Sequence, residues 1–341
     1  MTLDEWDSLS PGGREAYARR LVRSLPAAFT FDSVVTFQMG DRRRDVARFG
    51  FGGSAFALVP GGAVTLGYDA GRPWEPTPDE AESWRASAEE YGFAASPRDH
   101  IAQVTRRRRV AELCPFLAET TAREVGWEPL PADDAEVLEI VKQYMTGPRA
   151  SKVVKVHGAV RTVRVIREPG GITAQRSAPL THAQLARRLG DAGFRLPTSD
   201  EWEFLCGAGA ETLFRWGDHA PADHYPGEAS RAEREWNTRW ALSGGTLERP
   251  AKSFEPDFDL NLRPSACGVF IAWHPHEVEL VCEPEVTRGG DGGISACGGV
   301  GFFHGWLPLA TAFYQPESCD RAPQGEIHAG YNVARRVLPL D

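Results

Sequence analysis

The sequence predicts a mixed α+β fold, rich in loops and low in regular secondary structure. Three observations point there. The 341 residues include 35 glycines and 25 prolines with no Gly-x-y period, above a joint average of about 12%. Apolar side chains make up 42% of the chain, enough for a sizeable core. Short alternating runs such as Phe56-Ala57-Leu58-Val59 are interspersed with helical spacings such as Leu180, Leu185 and Leu189. With 47 acidic against 38 basic side chains the formal charge is −9, so no nucleic-acid partner is expected.

No membrane or export role is expected either. Met1-Thr2-Leu3-Asp4-Glu5-Trp6 lacks a basic-then-apolar leader. The uncharged run from Phe49 to Tyr68 is broken by Pro60 and several glycines, which rules out a continuous spanning helix. The six cysteines form no Cys-x-x-Cys pair; reduced thiols and a cytoplasmic location are the expectation.

Along the chain, residues 1–45 read as an N-terminal helical extension and 46–341 as the main domain. A helix beginning near Pro11 presents Leu21, Val22 and Leu25 on one side and ends by Pro26. Residues 41–45 (Asp-Arg-Arg-Arg-Asp) read as a solvated turn. Phe56–Val59, the turn Pro60-Gly61-Gly62 and Ala63–Gly67 read as a hairpin. Helices are expected over 78–95 and 134–145, a short strand at 114–119, and a hairpin over 152–166 around His157-Gly158. The run Arg106–Arg109 reads as the exposed side of an edge strand, with an anionic-ligand patch as the alternative. Thr198-Ser199-Asp200-Glu201 is a capping box that starts a helix with Trp202, Leu205 and Cys206 inward. After residue 208 periodicity fades for about 60 residues, a length of loop that needs pinning by buried aromatics or ions.

Six segments then resemble one family in order. Leu58-Val59-Pro60-Gly61-Gly62-Ala63-Val64-Thr65-Leu66-Gly67 is similar to the "V-P-G-G-x-F-x-M-G" strand pair of the formylglycine-generating enzyme (sulfatase-modifying factor) family. Arg195-Leu196-Pro197-Thr198-Ser199-Asp200-Glu201-Trp202-Glu203 resembles its "R-L-P-T-E-A-E-W-E". Phe214-Arg215-Trp216-Gly217-Asp218 follows, like "Y-P-W-G-D", and Ser265 to Phe270 stands where the family has "N-A-F-G-L-Y-D-M". Thr287-Arg288-Gly289-Gly290 is similar to "V-x-R-G-G", and Gly330 to Arg335 to the closing "G-F-R-V-A-R". The resemblance implies a variant of the C-type lectin fold spanning residues 55–338.

It also implies chemistry, and the residues depart from it. The family's oxidases hold copper with a C-x-x-x-x-C pair just after "R-G-G", because two thiolates suit a soft ion. Here Cys297 is present but displaced, the residue five further on is Phe302, and neither Cys282 nor Cys319 restores the spacing. A second branch, the ergothioneine-type sulfoxide synthases, adds a helical domain bearing His-x-x-x-His-x-Glu, a spacing absent from this sequence. The loop Phe303-His304-Gly305-Trp306 is similar to that branch's "F-x-N-W". The calcium loop "G-N-V-W-E-W" is replaced by Trp273 to Leu280, so a structural calcium ion is not expected, although Asn237 stands where another calcium loop has its asparagine.

The replacement carries its own possibility. His274 and His276, two apart in an extended segment, project to the same side, and two imidazoles suit Fe(II), Cu(II) or Zn(II). His304, Glu277 or Glu279 would complete a three-donor set. The competing reading makes these histidines hydrogen-bonded loop residues, and the same holds more strongly for His219 and His224. On the first reading the chain is a metal-dependent oxidase or oxygenase acting on a small molecule or peptide. Its metal ligands are then His274, His276 and His304, with Cys297 as thiolate ligand or redox residue, Arg288 orienting an anionic substrate, and Trp306 beside it. On the alternative reading it is a catalytically inactive lectin-like module that binds a ligand or a protein partner.

Overall fold

Strands from both ends of the chain close the first sheet. The structure, a computed structural model, describes residues 1–145, 150–156, 161–168, 170–226, 260–291, 302–314, 327 and 329–340. β1 (Thr30–Met39), β2 (Arg42–Phe51), β3 (Ser54–Val59), β6 (Phe116–Glu119) and β15 (Val337–Pro339) lie side by side in that order, every pair antiparallel. The period-2 alternation of β3 serves two cores. Phe56 and Leu58 face α1 (Leu3–Ser8) and α2 (Pro11–Leu21) with Trp6, Ala18 and Phe29, whereas Ala57 and Val59 face the main core.

The N-terminal residues are therefore part of the domain, and the expected boundary at 45/46 falls inside β2. β1 pairs with β2 over its whole length, so Arg42, Arg43 and Arg44 are strand residues, and only Gly40-Asp41 turns. Main-chain bonds from Leu3 N to Gly61 O (2.7 Å) and from Gly61 N to Met1 O (3.1 Å) bind the N-terminus down.

The hairpin expected around Pro60 does not form. β4 (Gly62–Leu66) leaves the first sheet and pairs with β5 (Arg109–Leu113) instead. Gly61 permits the departure, since a Cβ there would stand 2.6 Å from the Leu113 carbonyl. α3 (Pro78–Tyr91) and α4 (Pro97–Val104) fill the connection between them, each capped by a Thr or Ser hydroxyl.

A second sheet, in the order β8 (Trp127–Leu130), β11 (Gly171–Ser177), β10 (Arg161–Glu168), β9 (Ala150–Val156), packs Val163 and Val165 under Val137 and Ile140 of α5 (Ala135–Tyr144). The expected antiparallel pairing of 152–156 with the following strand is present, while His157 and Gly158 lie outside the described residues. In a third sheet β13 (Thr287–Arg288), β12 (Val278–Leu280), β14 (Asn332–Ala334) and β7 (Arg123–Glu124) neighbour one another, with β12 and β14 parallel. α6 (His182–Asp191) carries the expected Leu185 and Leu189 face.

α7 (Ser199–Gly207) sits at the centre. Its capping box is complete: Thr198 Oγ1 accepts from Glu201 N at 3.1 Å and the Glu201 carboxylate accepts from Thr198 N at 2.8 Å. Arg195 donates both guanidinium ends to the same carboxylate at 2.6 Å. Two residues on, Glu203 is fully buried and accepts from Arg288 (2.6 Å), from Arg109 (3.0 and 3.2 Å) and from the Gly67 amide. Arg106 reaches Ser199 and Asp200 at 2.9 and 3.1 Å. Half of the arginine run thus clamps α7 rather than facing solvent, because Glu203 and Asp200 need the donors.

The mixed α+β class holds, with 30% helix and 31% strand. Regular structure is more plentiful than the glycine and proline counts suggest. Several glycines sit between elements at positive φ, as Gly40, Gly52 and Gly53 do, and so join strands rather than interrupting them.

Removing the Glu203 carboxylate should unfold the centre more than any surface change. Glu203→Gln is expected to cost about 3–5 kcal/mol, because it leaves the fully buried Arg288 without its carboxylate, while Arg109 keeps Asp200. Urea unfolding checks this; a loss below about 1 kcal/mol would show that the arginines find other acceptors.

Candidate functional site

The Arg288-Gly289-Gly290 turn wraps the side of α7. The Arg288 guanidinium lies 5.0 Å from the Trp202 ring centre and donates to Glu203 and to Phe313 O (2.8 Å). A Cβ on Gly289 would stand 2.5 Å from the Trp202 ring, and one on Gly290 2.1 Å from the Glu277 carbonyl. Both glycines have positive φ. Asp291 follows immediately, and its amide donates to Pro275 O at 2.9 Å. The turn therefore delivers a buried carboxylate beneath the His274-Pro275-His276 loop.

There Asp291 Oδ1 meets His276 Nδ1 at 2.9 Å, and His276 Nε2 meets the Tyr225 hydroxyl at 3.1 Å. The Asp291 side chain is fully buried, whereas His276 keeps 18% of its side chain exposed. An ionised carboxylate only accepts, so Nδ1 carries the ring proton and Nε2 accepts from the phenol. Gly305, in α8 (Phe302–Trp306), makes room for the phenol: a Cβ there would lie 2.2 Å from the Tyr225 ring. His274 stands beside His276 with ring centres 5.6 Å apart, and its Nδ1 accepts from the His276 amide at 3.2 Å. Burial pushes His274 below the ordinary imidazole range, His276 adds to this, and Asp291 opposes it.

The two loop histidines thus share a side, as their spacing implies, but the rest of the expected set does not assemble. His304 turns to α3 and α4, where its ring stacks on Trp84 at 5.7 Å and lies 5.1 Å from His100. Glu277 interacts electrostatically with Glu124 and Arg164, and Glu279 is taken by Arg335 at 2.5 Å. Among the described residues no group of three His, Cys, Asp or Glu side chains is placed to hold a metal ion. As arranged, then, the residues do not fit a three-histidine or two-histidine-one-carboxylate iron or copper centre.

Arg288 is fully buried on Glu203 and backbone carbonyls, so it has no free face with which to orient a substrate. Trp306 is also fully buried and donates to His224 O at 2.9 Å; it is a core anchor. Cys297, Cys319 and Asn237 lie outside the described residues. Cys282 contacts Leu196 O at 3.0 Å, near the start of α7. His219 pairs with Glu80 at 2.9 Å and His224 with Asp223 at 2.7 Å, the loop-bracing roles expected of them. Sequence reasoning missed Asp291 and Tyr225. Asp291 directly follows the R-G-G turn and was open to notice; Tyr225, 51 positions from its partner, has no local signal.

No model of a known protein family matches this chain, and no curated protein is detectably similar to it.

Burial holds the Glu277 carboxyl up at about 7, with Glu124 adding and Arg164 opposing. A carboxyl raised in the folded state binds protons there that the unfolded chain has released. Stability from this group is full below about pH 4.5 and is lost as pH rises through 7. Glu277→Gln should therefore match the parent melting temperature near pH 4.5 and exceed it by about 2 °C or more at pH 8. Parallel melting curves across that range test it, and a constant offset would refute the sign.

Proposed function

We propose that this chain is a formylglycine-generating-enzyme-like protein and an enzyme, with Asp291, His276 and Tyr225 as its proton-handling centre. The observation that carries the reading is the ordered line of a buried carboxylate, an imidazole bonded through both nitrogens, and a phenol. Asp291 fixes the tautomer and orientation of the imidazole and stabilises the imidazolium that forms when Nε2 takes the phenol proton. Tyr225 Oη then serves as the base toward a proton of a small molecule or peptide and as the acid on its return. The partly exposed His276 edge and the exposed Trp273 (40%) beside His274 mark the side from which such a substrate would approach.

The family reading is supported by how the resembling segments meet. Gly67, Glu203 and Arg288, drawn from three of them, share one buried ion pair, and Arg195 forms a backbone bridge with Val337. Metal-dependent oxidation is the second reading, with His276 as a single protein ligand in place of the three-donor set that does not assemble, and one observation favours it. An imidazole whose Nδ1 is held by a buried carboxylate presents Nε2 in the form that ligates iron or copper, with the Tyr225 hydroxyl next to it. That ion would supply oxidative chemistry, with Asp291 holding the ligand in orientation.

The test is consumption of small molecules and peptides from complex extracts, followed by mass spectrometry, with chelator-treated and with iron- or copper-loaded protein. The same substrate signals should disappear with the parent chain and slow by about 100-fold or more in Tyr225→Phe and His276→Gln. Loss of activity on chelation with recovery on reloading selects the metal reading. Unchanged activity in both variants refutes the centre. No consumption at all, with a ligand retained, selects the lectin-like binding module.

A further inference from the structure

His304 is excluded from the His274–His276 loop, but it has another imidazole for a neighbour. α4 starts at Ser96, whose hydroxyl accepts from Asp99 N at 3.1 Å, and the His100 amide bonds Ser96 O at 3.0 Å. α8 is fixed by the Phe303 amide, which donates to Ser83 Oγ of α3 at 2.9 Å. These anchors bring the His100 and His304 rings to 5.1 Å between centres, with their planes crossing at 68°. Trp84 and Phe93 line the pair: Trp84 lies 5.1 Å from His100 and 5.7 Å from His304, and Phe93 lies 5.6 Å from His304.

Packing alone leaves a debt here. No ring nitrogen of either histidine is hydrogen-bonded to a described residue, and His304 Nδ1 is buried without a partner. Leaving such an atom unsatisfied is costly, and buried polar atoms are normally paired. An edge-to-face ring contact explains the angle between the planes but not the idle nitrogen. Burial disfavours the charged form of both rings, pushing His100 down to about 4 with help from His304 and lowering His304 against the opposing charge of Asp291. Neutral imidazole is the form that ligates metal.

The spacing fits one ion. With metal–nitrogen bonds of about 2.0–2.1 Å, two imidazoles on a tetrahedral ion have ring centres about 5 Å apart. We propose that His100 and His304 form a two-imidazole zinc-class metal site, separate from the Asp291–His276–Tyr225 centre. Borderline-soft Zn(II) suits two nitrogen donors and a tetrahedral angle. Two protein ligands leave the other positions to water or to a donor atom of a bound molecule. Both histidines are only half-buried, which leaves a path for the ion and for such a ligand.

The full chain, stripped with chelator, is titrated with Co(II) alone, read by its visible d–d absorption, and with Zn(II) alone, read by calorimetry. One equivalent of tetrahedral Co(II), displaced by Zn(II), is expected. His100→Gln and His304→Gln should each weaken binding by at least about tenfold, since even indirect partners of a ligand cost about 10–100-fold. His304→Cys should restore binding and add a sulfur-to-cobalt charge-transfer band, which keeps the test decisive if a glutamine variant folds poorly. His276→Gln should leave the titration unchanged. Absence of stoichiometric binding, or binding lost in His276→Gln and retained in both His100 and His304 variants, would overturn the site. Absence of binding leaves the proton-handling centre standing, since its own test does not involve His100, whereas binding lost only in His276→Gln would place the metal at that centre.

Discussion

The carboxylate of Glu203 is the group on which the rest of the molecule depends. An ionised side chain in a dry interior is tolerated only when several donors converge on it. Glu203 draws those donors from residues 85, 94 and 136 positions away, namely Arg288, Arg109 and the Gly67 amide. Each donor fixes a different stretch of chain. Gly67 ends β4 against α7, and a side chain there would collide with the Arg107 carbonyl at 2.2 Å. Arg109 opens β5, and Arg288 lies over Trp202. The centre is therefore held by directional electrostatics as well as by apolar burial, and the capping box at Thr198 sets the angle at which α7 presents the carboxylate.

From that centre the position of the candidate site follows by short steps. Arg288 must lie against Trp202 to reach Glu203, and the two glycines after it must hug α7 and the Glu277 backbone. The next residue has little freedom left, and it is Asp291. Its amide is bonded to Pro275 O and its carboxylate to His276. A loop that is irregular by secondary structure is thus positioned by the buried ion pair at the centre of the fold, as the proposed proton-handling role would require.

Legibility in the sequence tracked how local each interaction is. The Thr198–Glu201 cap, α3, α5, the Leu185 face of α6 and the β9–β10 pairing are set by residues within a few turns of one another, and all were readable. The switch of β4 to β5 was not, because Pro60-Gly61-Gly62 is equally good as a hairpin turn. What decides is Gly61 against the Leu113 carbonyl, 52 residues later. The arginine run misled for a similar reason: charge reads as exposure until the buried acceptors of α7 are in view. At the candidate site the His274–His276 spacing was readable, and the fate of His304 was not. Its neighbours come from α3 and α4, some 200 residues upstream.

α8 is the element that separates the two histidine centres. His304 and Gly305 are adjacent in it and face different neighbours. The missing side chain of Gly305 admits the Tyr225 ring, while the imidazole of His304 enters the aromatic pocket of Trp84 and Phe93. The helix is held on both flanks, by Phe303 N on Ser83 and by Trp306 Nε1 on His224 O. A bulkier residue at 305 would therefore displace the phenol from His276 or shift His304 from His100. Five residues impose one geometric condition on both sites, and that shared condition explains why a glycine is needed in the middle of so short a helix.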